Sequence, residues 1–222
     1  MADTAAAPHP TSVRLQILTT EHWSLLASRG LAWNESFSRA GMFLSTLSGS
    51  LVALGLIGGI DSFGMTFVTA ALAVLPVVLF IGIGTFLRMG AVNYHDALTI
   101  VGMNRIRAAY LELAPDLAPY LVMGANDDPA GVARTMALPP HLPPIAHVLS
   151  ATPALVQVLN AVVAGAITAV AGAGLGHLPT LLTLGMAAIG FVVTLALQLR
   201  FVAASMRRGR LGVRPMFPTP EA

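Results

Sequence analysis

Chemistry needs nucleophiles, bases, metal ligands or reactive amines at workable spacing, and this chain is poor in all of them. It contains no cysteine and no lysine, so all 12 basic residues are arginine. Disulfides, thiolate metal sites and thiol nucleophiles are therefore excluded, as are Schiff bases and the lysine of phosphate-binding loops. The six histidines are His9, His22, His95, His141, His147 and His177. None falls within the long apolar runs described below, which argues against haem held between membrane helices. His141 and His147 flank prolines and His95 adjoins Asp96, and neither arrangement has the one-turn spacing of helical zinc ligands. Glu112 and Asp116 straddle Pro115, and no acid lies in an apolar run, so paired carboxylates and an intramembrane proton relay are not expected. Asp61 reads as a turn residue. The expectation is a non-enzyme with no catalytic residue, metal or other cofactor.

What the sequence offers instead is small, hydroxyl and amide side chains at helical spacing. Gly41, Ser45, Gly49 and Ala53 recur every four residues, and Ala161, Gly165, Ala169 and Ala173 do the same. Such ridges let helix backbones approach closely in lipid, where packing must supply the attraction. Ser45, Thr46, Ser48 and Ser50 cluster on the first of these segments, and Gln157 and Asn160 lie one turn apart on the other. Two uses stand open: hydrogen bonds between helices, each worth about 0.6 kcal/mol, or the lining of a water-filled vestibule in an oligomer.

These residues must be placed by membrane helices. Hydrophobic residues make up 55% of the 222, mean hydropathy is +0.76, and 10% are charged, against about 25% in soluble domains. A bilayer core of about 30 Å takes about 20 apolar residues in a helix. Four runs are long enough: residues 40–60, 63–87, 154–174 and 178–199. Each pair is separated by a tight turn, giving two helical hairpins. Pro76 predicts a kink in the second span. The arginines lie before span one, between spans two and three, and after span four, with none in the other two turns. The positive-inside rule then makes both termini and the middle segment cytoplasmic, in a cell inner (plasma) membrane. The run of arginines from Arg207 to Arg210 suits anionic lipid headgroups rather than nucleic acid. No secretory leader is recognisable, so span one is expected to serve as its own insertion signal.

Outside the spans, residues 1–19 read as a disordered tail and 20–39 as a helix capped by Thr20, with Glu21 in its first turn. Trp23, Leu26, Ala27, Trp33 and Phe37 form a stripe suited to a membrane interface or to packing on the protein's own helices. Glu35 and Arg39 stand in the favourable order for a helical ion pair. Residues 88–152 form a cytoplasmic segment whose first helix stops where Ala114 precedes Pro115. Tyr94, Leu98, Val101, Ala109 and Leu113 mark its apolar stripe. Arg105 and Glu112 project from that stripe, whereas Asp96 and Arg107 point the other way. Arg105 and Glu112 either snorkel or pair with another helix or subunit, Glu35 being one candidate acid. Asp127 and Asp128 before Pro129 signal a helix start, and residues 138–144 an extended spacer. The second hairpin covers 153–199 and the basic tail 200–222, whose end is expected to be disordered.

The segments EHWSLLASRGLAWNESFSRAGMFL (Glu21 to Leu44) and MNRIRAAYLELAPDLAPYL (Met103 to Leu121) resemble a family of uncharacterised multi-pass membrane proteins common in high-GC bacteria. The likeness covers roughly the first 135 residues and implies several spans but no activity. A two-span hairpin between cytoplasmic helices is also similar to SLATT-type effector domains, which implies pore formation. The expected fold is all-α: an integral membrane four-helix protein with cytoplasmic amphipathic helices. The expected function is that of a self-associating scaffold or accessory subunit, partnering itself or another membrane protein, with an oligomeric pore as the alternative.

Overall fold

The computed structural model describes residues 10–136, 152–208 and 212–220. The spacer at 138–144, His9, His141, His147 and Arg210 lie outside the described residues. The elements are α1 (Thr11–Asp61), α2 (Met65–Leu113), a 3-10 turn (Pro115–Tyr120), α3 (Pro129–Thr135), α4 (Thr152–Gly174) and α5 (Thr180–Arg208). No strand occurs among the described residues. Helices α1, α2, α4 and α5 are long and apolar enough to cross a membrane, so the chain is an all-α, four-helix integral membrane fold.

Both ends of α1 differ in cause from a simple span. It begins nine residues before Thr20, because SVRLQIL contains no helix breaker and the carbonyl of Pro10 accepts from the amides of Val13 and Arg14 at 3.0 and 3.1 Å. Thr20 is consequently an interior residue and not a cap, its hydroxyl donating to the Gln16 carbonyl at 2.8 Å. At the other end Ser62 and Phe63 take φ of 49° and 60°, a region costly for residues with a Cβ. The turn compensates locally. Asp61 Oδ2 accepts the Phe67 amide at 3.0 Å and so caps α2, while the Phe63 ring covers Gly58, where any Cβ would meet Cε1 at 2.7 Å. Helix α2 then runs without interruption through Pro76 to Leu113, ending where Pro115 forbids continuation.

The chain forms two compact units. The larger comprises, among the described residues, 34–93 and 152–208. Its core is apolar: Phe43, Leu47 and Leu54 from α1, Ala71, Leu75, Val78 and Phe86 from α2, and Val156 and Val163 from α4. Helix α4 is the most enclosed, with 44% of its apolar window buried, and α5 the least, with 6%. Two glycines bring α4 and α5 together. A Cβ on Gly165 would stand 2.9 Å from the Ala187 carbonyl, and one on Gly190 would stand 2.6 Å from Thr168 Oγ1. That is the close approach expected of small residues in lipid.

The smaller unit comprises, among the described residues, 10–33, 94–136 and 212–220. The first part of α1 lies antiparallel to the last part of α2: His22 stacks on Tyr110, Leu25 covers Gly102, and Arg29 reaches Asp96. Fully buried Asn104 fixes the following loop to α2, its Nδ2 donating to the Asn126 carbonyl at 2.7 Å and its Oδ1 accepting from Thr135 at 2.9 Å. Helix α3 starts as its sequence requires, with Asp128 accepting the Gly131 amide at 2.9 Å and Pro129 in the first turn.

Candidate functional site

In the larger unit the two small-residue ridges have opposite fates. On α4, Ala161 and Gly165 are buried, Ala169 is half-buried and Ala173 is exposed, and Gly165 seats α5 as described. On α1, Gly41, Ser45, Gly49 and Ala53 are all exposed. Nothing lies within 4 Å of the position a Cβ would take on Gly41 or Gly49. The reason is rotational: Phe43, Leu47 and Leu54 take the inward face, so residues two positions earlier or later along the helix turn outward. Met42, Leu44, Val52 and Leu56 flank the ridge and are exposed as well. The result is a smooth, apolar outer surface with a shallow furrow along it.

The hydroxyls of span one share that outer surface. Ser45 and Ser48 are exposed and Ser50 is half-buried, while Thr46 satisfies its hydroxyl on the Met42 carbonyl at 2.9 Å. The amides of α4 lie inside. Asn160 is fully buried and Gln157 and Gln198 nearly so. Asn160 Nδ2 donates to Gln198 Oε1 at 3.2 Å, and Gln198 Nε2 donates to the Gln157 carbonyl at 3.3 Å. Asn160 Oδ1 has no N–H or O–H partner among the described residues. It faces Gly82 of α2, where a Cβ would collide with it and with the Phe43 ring, so the contact is carried by the glycine Cα–H. Buried amides thus link α4 to α5 and press it against α2.

Charges gather in two places. In the larger unit, before span one, Glu35 accepts two parallel bonds of 2.8 Å from Arg88 and one of 2.9 Å from Arg39. Hydrogen bonds from these two arginines hold its carboxyl down at a pKa of about 2. In the smaller unit, Arg105 Nε donates to Asp127 Oδ2 at 2.7 Å and its terminal nitrogen to the Arg214 carbonyl at 2.8 Å. Glu112 is exposed and forms no ion pair among the described residues. Asp96 and Arg107, read from the sequence as pointing away, are buried and half-buried. Val101 of the apolar stripe is buried but Tyr94 is exposed, and α1 meets α2 through His22 on Tyr110 and Arg29 on Asp96 as well as through Leu25 on Gly102. Trp23 and Trp33 of the predicted interfacial stripe are exposed.

The contact that sequence reasoning missed is the docking of residues 212–220, expected as a free tail. Asp127 accepts the amides of Met216 and Phe217 at 2.8–3.0 Å, and its own amide donates to the Phe217 carbonyl at 3.1 Å. Asn126 Nδ2 adds a bond to the Pro218 carbonyl at 3.2 Å, and Thr219 donates to Asp128 at 2.8 Å. Burial alone would raise the Asp127 pKa, but the two amides and Arg105 outweigh it and hold the carboxyl below its ordinary value. The signal available in sequence was a pair of acids in which only one is needed as a helix cap. Comparison with known proteins brings out no matching family model, no similar curated protein and no similar solved structure.

Proposed function

We propose that this chain is a self-associating membrane protein that acts as a scaffold or accessory subunit, with α1 supplying the association surface. The observation that carries this reading is the outward ridge of Gly41, Ser45, Gly49 and Ala53, a close-packing surface that no helix among the described residues fills. Lipid tails do not drive helices together, so association there rests on backbone approach and van der Waals contact. A bulky residue in the furrow removes both. The arginine distribution supports a plasma-membrane protein with both termini and residues 88–152 on the cytoplasmic side, and arginines 207, 208 and 210 suit anionic headgroups.

Gentle extraction followed by mass measurement of the intact complex tests the reading. Wild type is expected as an oligomer and Gly49→Leu as a smaller species, since nothing among the described residues opposes that side chain. A monomeric wild type, or an unchanged mass for Gly49→Leu, contradicts it.

A pore is the second reading, and one observation favours it: the Ser45 and Ser48 hydroxyls are exposed beside the ridge, where several copies would bring them round a common axis. Planar-bilayer recording separates the two. Scaffold behaviour gives no unitary current in wild type or in Leu56→Ser, whereas a pore closed by the exposed Leu56 conducts in the serine variant.

A further inference from the structure

We propose that Arg107, together with His22, forms a binding site for a phosphate-type anion in the smaller unit. Arg107 is half-buried on α2, and among the described residues its guanidinium makes one hydrogen bond, to Asn104 Oδ1 at 2.9 Å. No carboxylate lies within ion-pair distance of it among the described residues. The charge that bears on it is a second cation, Arg29 of α1, whose Nε is engaged by Asp96 at 2.7 Å. His22, two turns before Arg29 on the same face of α1, stacks on Tyr110 with ring centroids 5.9 Å apart. Tyr110 in turn stands one turn beyond Arg107 on α2. The Nδ1 of His22 is buried and has no hydrogen-bond partner among the described residues.

Arg107 therefore has no carboxylate partner among the described residues, the Asp96 carboxylate being taken by Arg29, and the buried His22 Nδ1, stacked over Tyr110 one turn from Arg107, has none either. Burying a cation without a counter-ion is costly, and an anion removes that cost. Arg107 keeps Nε and one terminal nitrogen for such an anion, a fork suited to two oxygens of a tetrahedral phosphate. His22 supplies a further donor when its Nδ1 carries the proton. Burial first and Arg107 second lower the His22 pKa in the empty site, so an arriving anion raises it. The phosphate can come from solution or from a lipid headgroup, and these sources are separable.

The test uses the full chain in nanodiscs of zwitterionic phosphatidylcholine, titrated calorimetrically with inorganic phosphate against sodium chloride at matched ionic strength. The His22 ring resonances are followed in parallel, and again after anionic phosphatidylglycerol replaces part of the lipid. Saturable phosphate binding weakened at least about tenfold by Arg107→Gln, equivalent to losing one charged hydrogen bond, identifies a site for soluble phosphate. A His22 shift produced only by the anionic lipid, and abolished by Arg107→Gln, identifies a headgroup site. If Arg107→Gln does not fold, His22→Phe, which keeps a ring against Tyr110, decides the calorimetric arm by weakening phosphate binding, and Arg107→Lys, which keeps the charge but loses the two-nitrogen fork, decides the headgroup arm by weakening the His22 shift. Arg14→Gln leaves it unchanged. No response to either anion, or an equal response in the variants, overturns the proposal.

Discussion

A carboxylate buried beside an arginine is tolerable only when its remaining lone pairs are used, and Asp127 uses them on the amides of Met216 and Phe217. Replacing it with asparagine keeps the shape and removes the charge. A hydrogen bond to a charged group contributes about 1.5–3 kcal/mol, so the Met216 and Phe217 amides in Asp127→Asn should exchange with solvent roughly ten- to hundredfold faster. The pH dependence has a definite sign. Because the folded-state pKa of Asp127 is depressed, its stabilisation is present above the ordinary carboxylate value of about 3.9 and is lost as pH falls through the lower, folded value. Protection of those two amides, corrected for intrinsic exchange, should follow that course; protection unchanged in Asp127→Asn would mean that the tail is held by other contacts. Asp128 was legible in the sequence because capping is local. The roles of Asp127 and Asp96 were not, since their partners Met216 and Arg29 lie 89 and 67 residues away, beyond any periodicity.

Length and hydropathy sufficed to find the four spans, because a bilayer imposes both on any crossing helix. They could not orient the helices. The ridges at 41–53 and 161–173 have the same spacing and similar composition, yet one faces out and the other seats α5; what separates them is the inward pull of Phe43, Leu47 and Leu54. Glycines in α2 give a matching prediction. A Cβ at Gly82 collides with Asn160 Oδ1 and Phe43, whereas one at Gly84 meets nothing within 4 Å. Gly82→Ala should therefore destabilise the helix packing by about 1–3 kcal/mol, the usual range for an overfilled core, and lower the melting temperature in detergent. Gly84→Ala should leave it unchanged or raise it slightly, alanine being the better helix former. Equal melting temperatures for the two variants would argue against the contact between Asn160 and Gly82.

For the molecule as a whole, the topology proposed from the arginines predicts that reporters fused after Leu121 and after Arg210 report cytoplasm while one at Ser62 reports the exterior. An exterior signal after Leu121 would reverse that assignment. Association is the deeper claim, and the absence of any native cysteine allows it to be probed one position at a time. Single cysteines placed across residues 41–53 and oxidised in the native membrane should form dimers at Gly41, Ser45, Gly49 and Ala53, where two copies of α1 would meet. Leu47, buried within its own chain, should give none. A four-residue rhythm of cross-linking centred on Gly49 is the result predicted for self-association through this ridge; the absence of cross-links at all four ridge positions would contradict it.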